Sequence, residues 1–178
     1  MAHPENANHL PPTPWPTLLL GVGLGGFIDG IVLHQILQWH HLVSHVEGLS
    51  PETVEGLRVN TLADGAFHLF SWSCVVAGAA LSVLAWRQRR MATSWRFHIG
   101  LALVGWGVFN LVEGIVNHHV LGIHHVRDDL DAPLSWDLGF LAVSALLVVV
   151  GWLLYRGGRW ASGGTSGGPP DRSGTRLQ

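Results

Sequence analysis

The sequence predicts an all-α integral membrane protein of four transmembrane helices, arranged as two parallel two-helix repeats. Three observations carry that expectation. Hydrophobic residues make up 48% of the 178 positions and charged residues only 12%, against about 25% charged in a soluble domain. Four apolar stretches each approach the ~20 residues that cross a bilayer core. A polar motif inside the first stretch recurs inside the third. The ten basic residues form no stripe, so nucleic acid is not an expected partner. The lone cysteine, Cys74, rules out an internal disulfide or a CxxC motif.

Residues 1–16 are polar and carry Pro11, Pro12, Pro14 and Pro16, which predicts a flexible lead-in. They contain no Lys or Arg, so a cleavable signal peptide is not expected. The first span covers about 17–39 and is interrupted by Asp29, His34, Gln35 and Gln38. Gly21, Gly25, Gly26 and Gly30 give it small-xxx-small spacing, which lets helices pack closely. The second covers about 61–86, with Asp64 and His68 near its start. The third, about 95–116, contains Asn110 and Glu113, and the fourth, about 138–155, is apolar throughout. Together they make a transmembrane domain over 17–156, with repeat one at about 17–87 and repeat two at about 95–156. The Gly/Ser/Pro/Arg-rich tail, 157–178, is expected to be disordered. Tryptophans such as Trp39, Trp86, Trp95 and Trp136 mark span ends, as aromatic belts do.

Arginine bias sets the expected orientation. Arg87, Arg89, Arg90 and Arg96 lie between spans two and three, and Arg156 and Arg159 follow span four. Both termini are therefore expected to be cytoplasmic. The 42–60 and 120–135 loops, with only Arg58 and Arg127, are expected on the extracytoplasmic side of an inner (cytoplasmic) membrane.

The repeat is read by placing DGIVLHQILQWHH (29–41) over EGIVNHHVLGIHH (113–125), which gives the pattern [DE]-G-I-V-x-H-x-x-L-x-x-H-H. Asp64 and Asp137 echo each other in the helices that follow. Two spans per unit preserve orientation, which predicts a pseudo-two-fold axis along the membrane normal. Duplication alone could build a bundle, but packing does not ask for imidazole.

In a regular α-helix, His34 and His41 share a face about 10 Å apart along the axis, as do His118 and His125. Asp64 and His68 share a face at i and i+4. Topology then puts His34, His68 and His118 at one depth. His41, His125, Asp64 and Asp137 lie nearer the outer surface, and Asp29 and Glu113 nearer mid-bilayer. The expected metal ligands are His34, His41, Asp64, His68, His118 and His125. Asp29, Glu113, Asp137 and His119 stand behind them as orienting groups or a proton relay. Imidazole and carboxylate suit iron, copper or zinc. Other readings stay open: His40, His41, His124 and His125 as interfacial residues at helix ends, and Asp29 and Glu113 as neutral packing residues.

The stretches GFIDGIVLHQILQWHHLVSH (26–45), ADGAFH (63–68) and EGIVNHHVLGIHH (113–125) resemble a family of small bacterial multipass membrane proteins, domain-of-unknown-function family 2243. The resemblance spans roughly 15–156 and implies membrane location and the four-helix fold. It implies no activity. The residues themselves predict a membrane metalloprotein doing redox or oxygen chemistry, or handling metal; as an enzyme it would be a metal-dependent oxidoreductase. The alternatives are a haem-binding electron carrier, a proton or ion pathway, and a structural subunit. Besides the lipid bilayer, the expected partners are further copies of the chain or a larger membrane complex.

Overall fold

The computed structural model describes residues 11–131 and 133–163; residues 1–10 of the lead-in and 164–178 of the tail lie outside the described residues. Among the described residues, four helices are long and apolar enough to cross a membrane. The first is α1 (Trp15–Ile28), opened by Pro16 in its first turn and continued by a π-helical segment, π1 (Asp29–Ile36). Next come α2 (Val54–Arg87) and α3 (Trp95–Glu113), the latter continued by π2 (Gly114–Val120). The last is α4 (Leu134–Gly163). Among the described residues there is no strand.

Two boundaries differ most from the sequence expectation, and the third span also runs on to Val120 and α4 starts at Leu134. Helix α2 begins seven residues earlier than 61, because Thr53 is extended and its side chain accepts a hydrogen bond from Gly56 N at 3.0 Å, an N-cap that satisfies an otherwise orphan donor. At 34 residues it is about 51 Å long, well beyond a ~30 Å hydrocarbon core. Helix α4 runs on to Gly163, so 157–163 are helical.

Helix α1 packs on α2, α3 packs on α4, and α1 packs against α3, so α1 and α3 form the inner pair. Glycine makes each approach possible. A Cβ on Gly21 would collide with the backbone of Ala102, and one on Gly105 with Leu18 O. A Cβ on Gly23 would lie 2.7 Å from Ser71 O, and one on Gly107 2.6 Å from Ser144 O. Such backbone contact is how helices associate where lipid removes the hydrophobic drive.

Burial is inverted relative to a soluble protein. Among the described residues, the largest almost completely buried side chains are all polar: His34, His124, Asn60, Asp64, Asp137, Ser71 and Ser144. Leu62, Leu69, Leu146 and Leu153 lie outward at 60–76% exposure. An apolar exterior around a polar interior suits a chain whose surroundings are hydrocarbon.

A candidate metal centre of histidines and carboxylates

The two π segments and the turns after them build the polar interior. In a π-helix the hydrogen bond runs from i to i+5, so residues five apart are brought over one another. Asp29 and His34 are five apart, as are Glu113 and His118. An α-helix would splay such pairs by about 140°. Here Asp29 Oδ2 lies 3.7 Å from His34 Nε2, and Glu113 Oε1 lies 3.6 Å from His118 Nε2.

Each π segment ends in a reversal. Leu37 N donates to Val32 O at 2.8 Å and Trp39 N to Leu33 O at 3.0 Å; Leu121 N donates to Val116 O at 2.8 Å and Ile123 N to Asn117 O at 3.0 Å. Gln38 (φ 50°) and Gly122 (φ 58°) turn in the left-handed region. The helix therefore stops before His40 and His124, and the chain folds back. The expected common helical face for His34 and His41 is replaced by a shared partner. Asp64 accepts from His34 Nδ1 at 2.8 Å through Oδ1 and from His41 Nδ1 at 2.6 Å through Oδ2. It also accepts from Leu42 N at 2.9 Å and from Gln35 Nε2 at 3.1 Å. In the other half, Asp137 accepts from His125 Nδ1 at 2.6 Å and from Val126 N at 2.9 Å, and its Oδ1 faces His118 Nδ1 at 3.3 Å.

Folding back carries His40 and His124 inward, where their rings stack at 4.7 Å with 5° between planes. The two turns exchange bonds: His40 Nδ1 donates to Val126 O at 3.0 Å, and His124 Nδ1 donates to Leu42 O at 2.9 Å. A carbonyl only accepts, so Nδ1 carries the hydrogen in both rings and Nε2 of a neutral ring keeps its lone pair. Burial, then His124 and His34 beside it, hold His40 well below the usual histidine range. Burial opposes charge on His124 too, but the hydrogen bond and charge of Glu113 outweigh it and raise that group.

Four imidazoles thus line one buried space: His34, His40, His118 and His124 are each at most 3% exposed. One ligand atom from each of His34, His40 and His124 lies within 4.8 Å of the others, and the same holds for Glu113, His118 and His124. His34 Nε2, His40 Nε2 and Glu113 Oε2 are buried without a hydrogen-bond partner. His124 Nε2 contacts Glu113 Oε1 at 2.9 Å.

Of the residues picked out from the sequence, His34, His118, Asp29 and Glu113 meet in this space. Asp64, Asp137, His41 and His125 form the layer around it. His68 stands apart: its Nδ1 donates to Asp64 O in its own helix at 2.7 Å, and its ring lies near Phe27. His119 points outward and is exposed. His40 and His124, read from the sequence as possible interfacial histidines, are the inward members of each HH pair. Their recurrence in both motifs was the available signal; which of two adjacent histidines turns inward depends on the reversal. At the same end, a cleft of about 540 Å³ is lined by Trp39, His40, His41, Glu52 and Asp129 among others. Beside it, the Arg127 guanidinium lies over Trp39 and Trp136, 4.5 and 5.0 Å from their ring centres.

Compared with known families, residues 16–158 match the model of the family described as "Predicted membrane protein (DUF2243)". No curated protein matches the chain, and no solved structure does.

Proposed function

The chain belongs to this family of multipass membrane proteins, and from that premise we propose that it is a membrane metalloprotein with a non-haem His/carboxylate centre. His34, His40, His118 and His124 would be the imidazole ligands, with Asp29 and Glu113 as carboxylate ligands. Asp64, Asp137 and the carbonyls of Leu42 and Val126 would orient them. The observation that carries the reading is the direction of the nitrogens. Three of the four Nδ1 atoms donate to a carboxylate or carbonyl and the fourth faces a carboxylate, leaving Nε2 atoms to converge in a buried interior. Ligating histidines are held in this way. His34 Nε2 and His40 Nε2 are unpaired there, which is costly without a cation between them, while His124 Nε2 meets Glu113 Oε1.

The donor set of imidazole and carboxylate suits iron, zinc or copper(II). The ligand atoms converge within 4.8 Å, a spacing for an ion rather than for a macrocycle, which favours a bare metal over haem. We further propose that the two halves are related by a pseudo-two-fold axis along the membrane normal. The paired contacts of Asp64 and Asp137 and the exchanged bonds of His40 and His124 support this. The arginine distribution supports placing the centre toward the extracytoplasmic face. The cleft beside His40 then opens to the aqueous side and would admit a hydrated ion or a small oxidant. The role would be redox or oxygen chemistry, or metal handling. One observation favours a second reading, a proton path: the His124–Glu113 contact is itself a good buried ion pair.

Elemental analysis and an absorption spectrum of the detergent-purified protein test this, beside His40→Ala/His124→Ala and a His119→Ala control. Expected is stoichiometric transition metal in the wild type and the control, lost from the double variant. Wild-type protein that stays folded and binds no iron, zinc or copper after loading would leave the proton path as the better account.

A further inference from the structure

The geometry points to two metal ions side by side in this centre, an inference that rests on the metal-site reading above. The four imidazoles form a bent chain with His34 and His118 as its ends, folded so that His34 lies 5.9 Å from His124 and His40 6.3 Å from His118. Centroid distances run 4.4 Å from His34 to His40, 4.7 Å from His40 to His124, and 4.8 Å from His124 to His118. The convergent ligand atoms divide accordingly. His34 and His40 belong to one set and Glu113 and His118 to the other, with His124 within reach of both; its Nδ1 is bonded to Leu42 O, so its single Nε2 lone pair would serve one ion, the second, where it meets Glu113 Oε1. Asp29 Oδ2 adds a carboxylate beside the first, 3.7 Å from His34 Nε2. Each position thus has its own carboxylate and its own terminal imidazole.

Spacing agrees. Two neighbouring ligands each ~2.1 Å from a tetrahedral ion sit about 3.4 Å apart, so His124 Nε2 and Glu113 Oε1, hydrogen-bonded at 2.9 Å, need separate only slightly to share one. Unpartnered buried atoms lie at both positions: His34 Nε2 and His40 Nε2 at the first, Glu113 Oε2 at the second, where His118 Nδ1 is also unpartnered but faces Asp137 Oδ1. A single ion would leave one group of them unfilled.

Charge supplies an independent argument. Four carboxylates, Asp29, Asp64, Glu113 and Asp137, are buried around this space, at 1–7% exposure. Among the described residues, the arginine ion pairs go elsewhere, Arg58 to Glu55 and Arg127 to Asp129. With all four ionised, two divalent cations would match their charge and displace the proton that His124 shares with Glu113, leaving every imidazole able to ligate; with one divalent ion, the rest of the balance falls to protons on the carboxylates or on His124.

The test titrates cobalt(II) into chelator-stripped, full-length protein in detergent. Ligand-field absorption is followed, and bound cobalt is counted after desalting. Two equivalents are expected per chain. Asp29→Asn/His34→Gln and Glu113→Gln/His118→Gln are each expected to keep one. Copper(II) loaded to two equivalents should give a spin-coupled signal, weaker per ion than at one equivalent. Saturation at a single equivalent, with no spin coupling, overturns the two-ion inference and leaves the metal site standing. Failure to bind cobalt, zinc, iron or copper at all removes both. Should a paired variant not fold, wild-type stoichiometry and spin coupling still decide.

Discussion

Replacing Asp64 by Asn changes one oxygen into an amide and removes a charge, at a residue only 1% exposed. The carboxylate accepts four hydrogen bonds, two on each oxygen: His34 Nδ1 and Leu42 N on Oδ1, His41 Nδ1 and Gln35 Nε2 on Oδ2. Asparagine keeps one accepting oxygen, so its NH2 must face two donors. Hydrogen bonds to an ionised group contribute ~1.5–3 kcal/mol each. His41 and Gln35 reach solvent and recover part of that, so the amide is expected to turn its NH2 toward them, at a cost of about 2–4 kcal/mol. His34 would keep a weaker, neutral acceptor. Loss of such an orienting partner lowers metal affinity about 10–100-fold, or ~1.4–2.8 kcal/mol. The assay is competitive cobalt(II) binding together with thermal unfolding in the same detergent. Asp129→Asn is the control, since Asp129 is partly exposed and pairs only locally with Arg127. Wild-type affinity and an unchanged melting temperature in Asp64→Asn would refute the orienting role. A lowered melting temperature with wild-type affinity would make Asp64 a structural hub only.

Two other predictions concern packing and placement. Gly21→Val is expected to abolish monodisperse protein in detergent size exclusion, because its Cβ meets the Ala102 backbone, which cannot turn aside. Gly139→Ala, with nothing within 4 Å of the added Cβ, is expected to be neutral or to stabilise by up to ~1 kcal/mol; Gly21→Val melting like wild type would contradict the close α1–α3 approach. On a background lacking Cys74, a cysteine at Glu52 is expected to react with a membrane-impermeant maleimide on intact cells, and one at Gln88 only after lysis. The opposite labelling would put the histidine end in the cytoplasm.

Much of the fold was legible in sequence because lipid imposes a simple rule. A span must be long, apolar and helical, and 17–39, 61–86, 95–116 and 138–155 met it. The helix ends were less legible. The start of α2 depends on a single cap at Thr53, and α4 runs past Arg156 through a Gly-containing stretch that composition reads as tail. In the site, His34, His118, Asp29 and Glu113 were found because acids and imidazoles inside apolar spans stand out. Their proximity was not, since 100° per residue separates positions five apart, whereas the π segments bring them together.

Sequence alone was enough to find four segments long and apolar enough to cross a membrane and the same acid–imidazole motif in two of them. Both follow from composition and spacing, which are local properties. Only tertiary structure decided which histidine of each HH pair turns inward. His40 and His124 are held by carbonyls of the opposite turn, Val126 O and Leu42 O, 86 and 82 residues away. Contacts of that range exist only once α1 and α3 have met through their glycines.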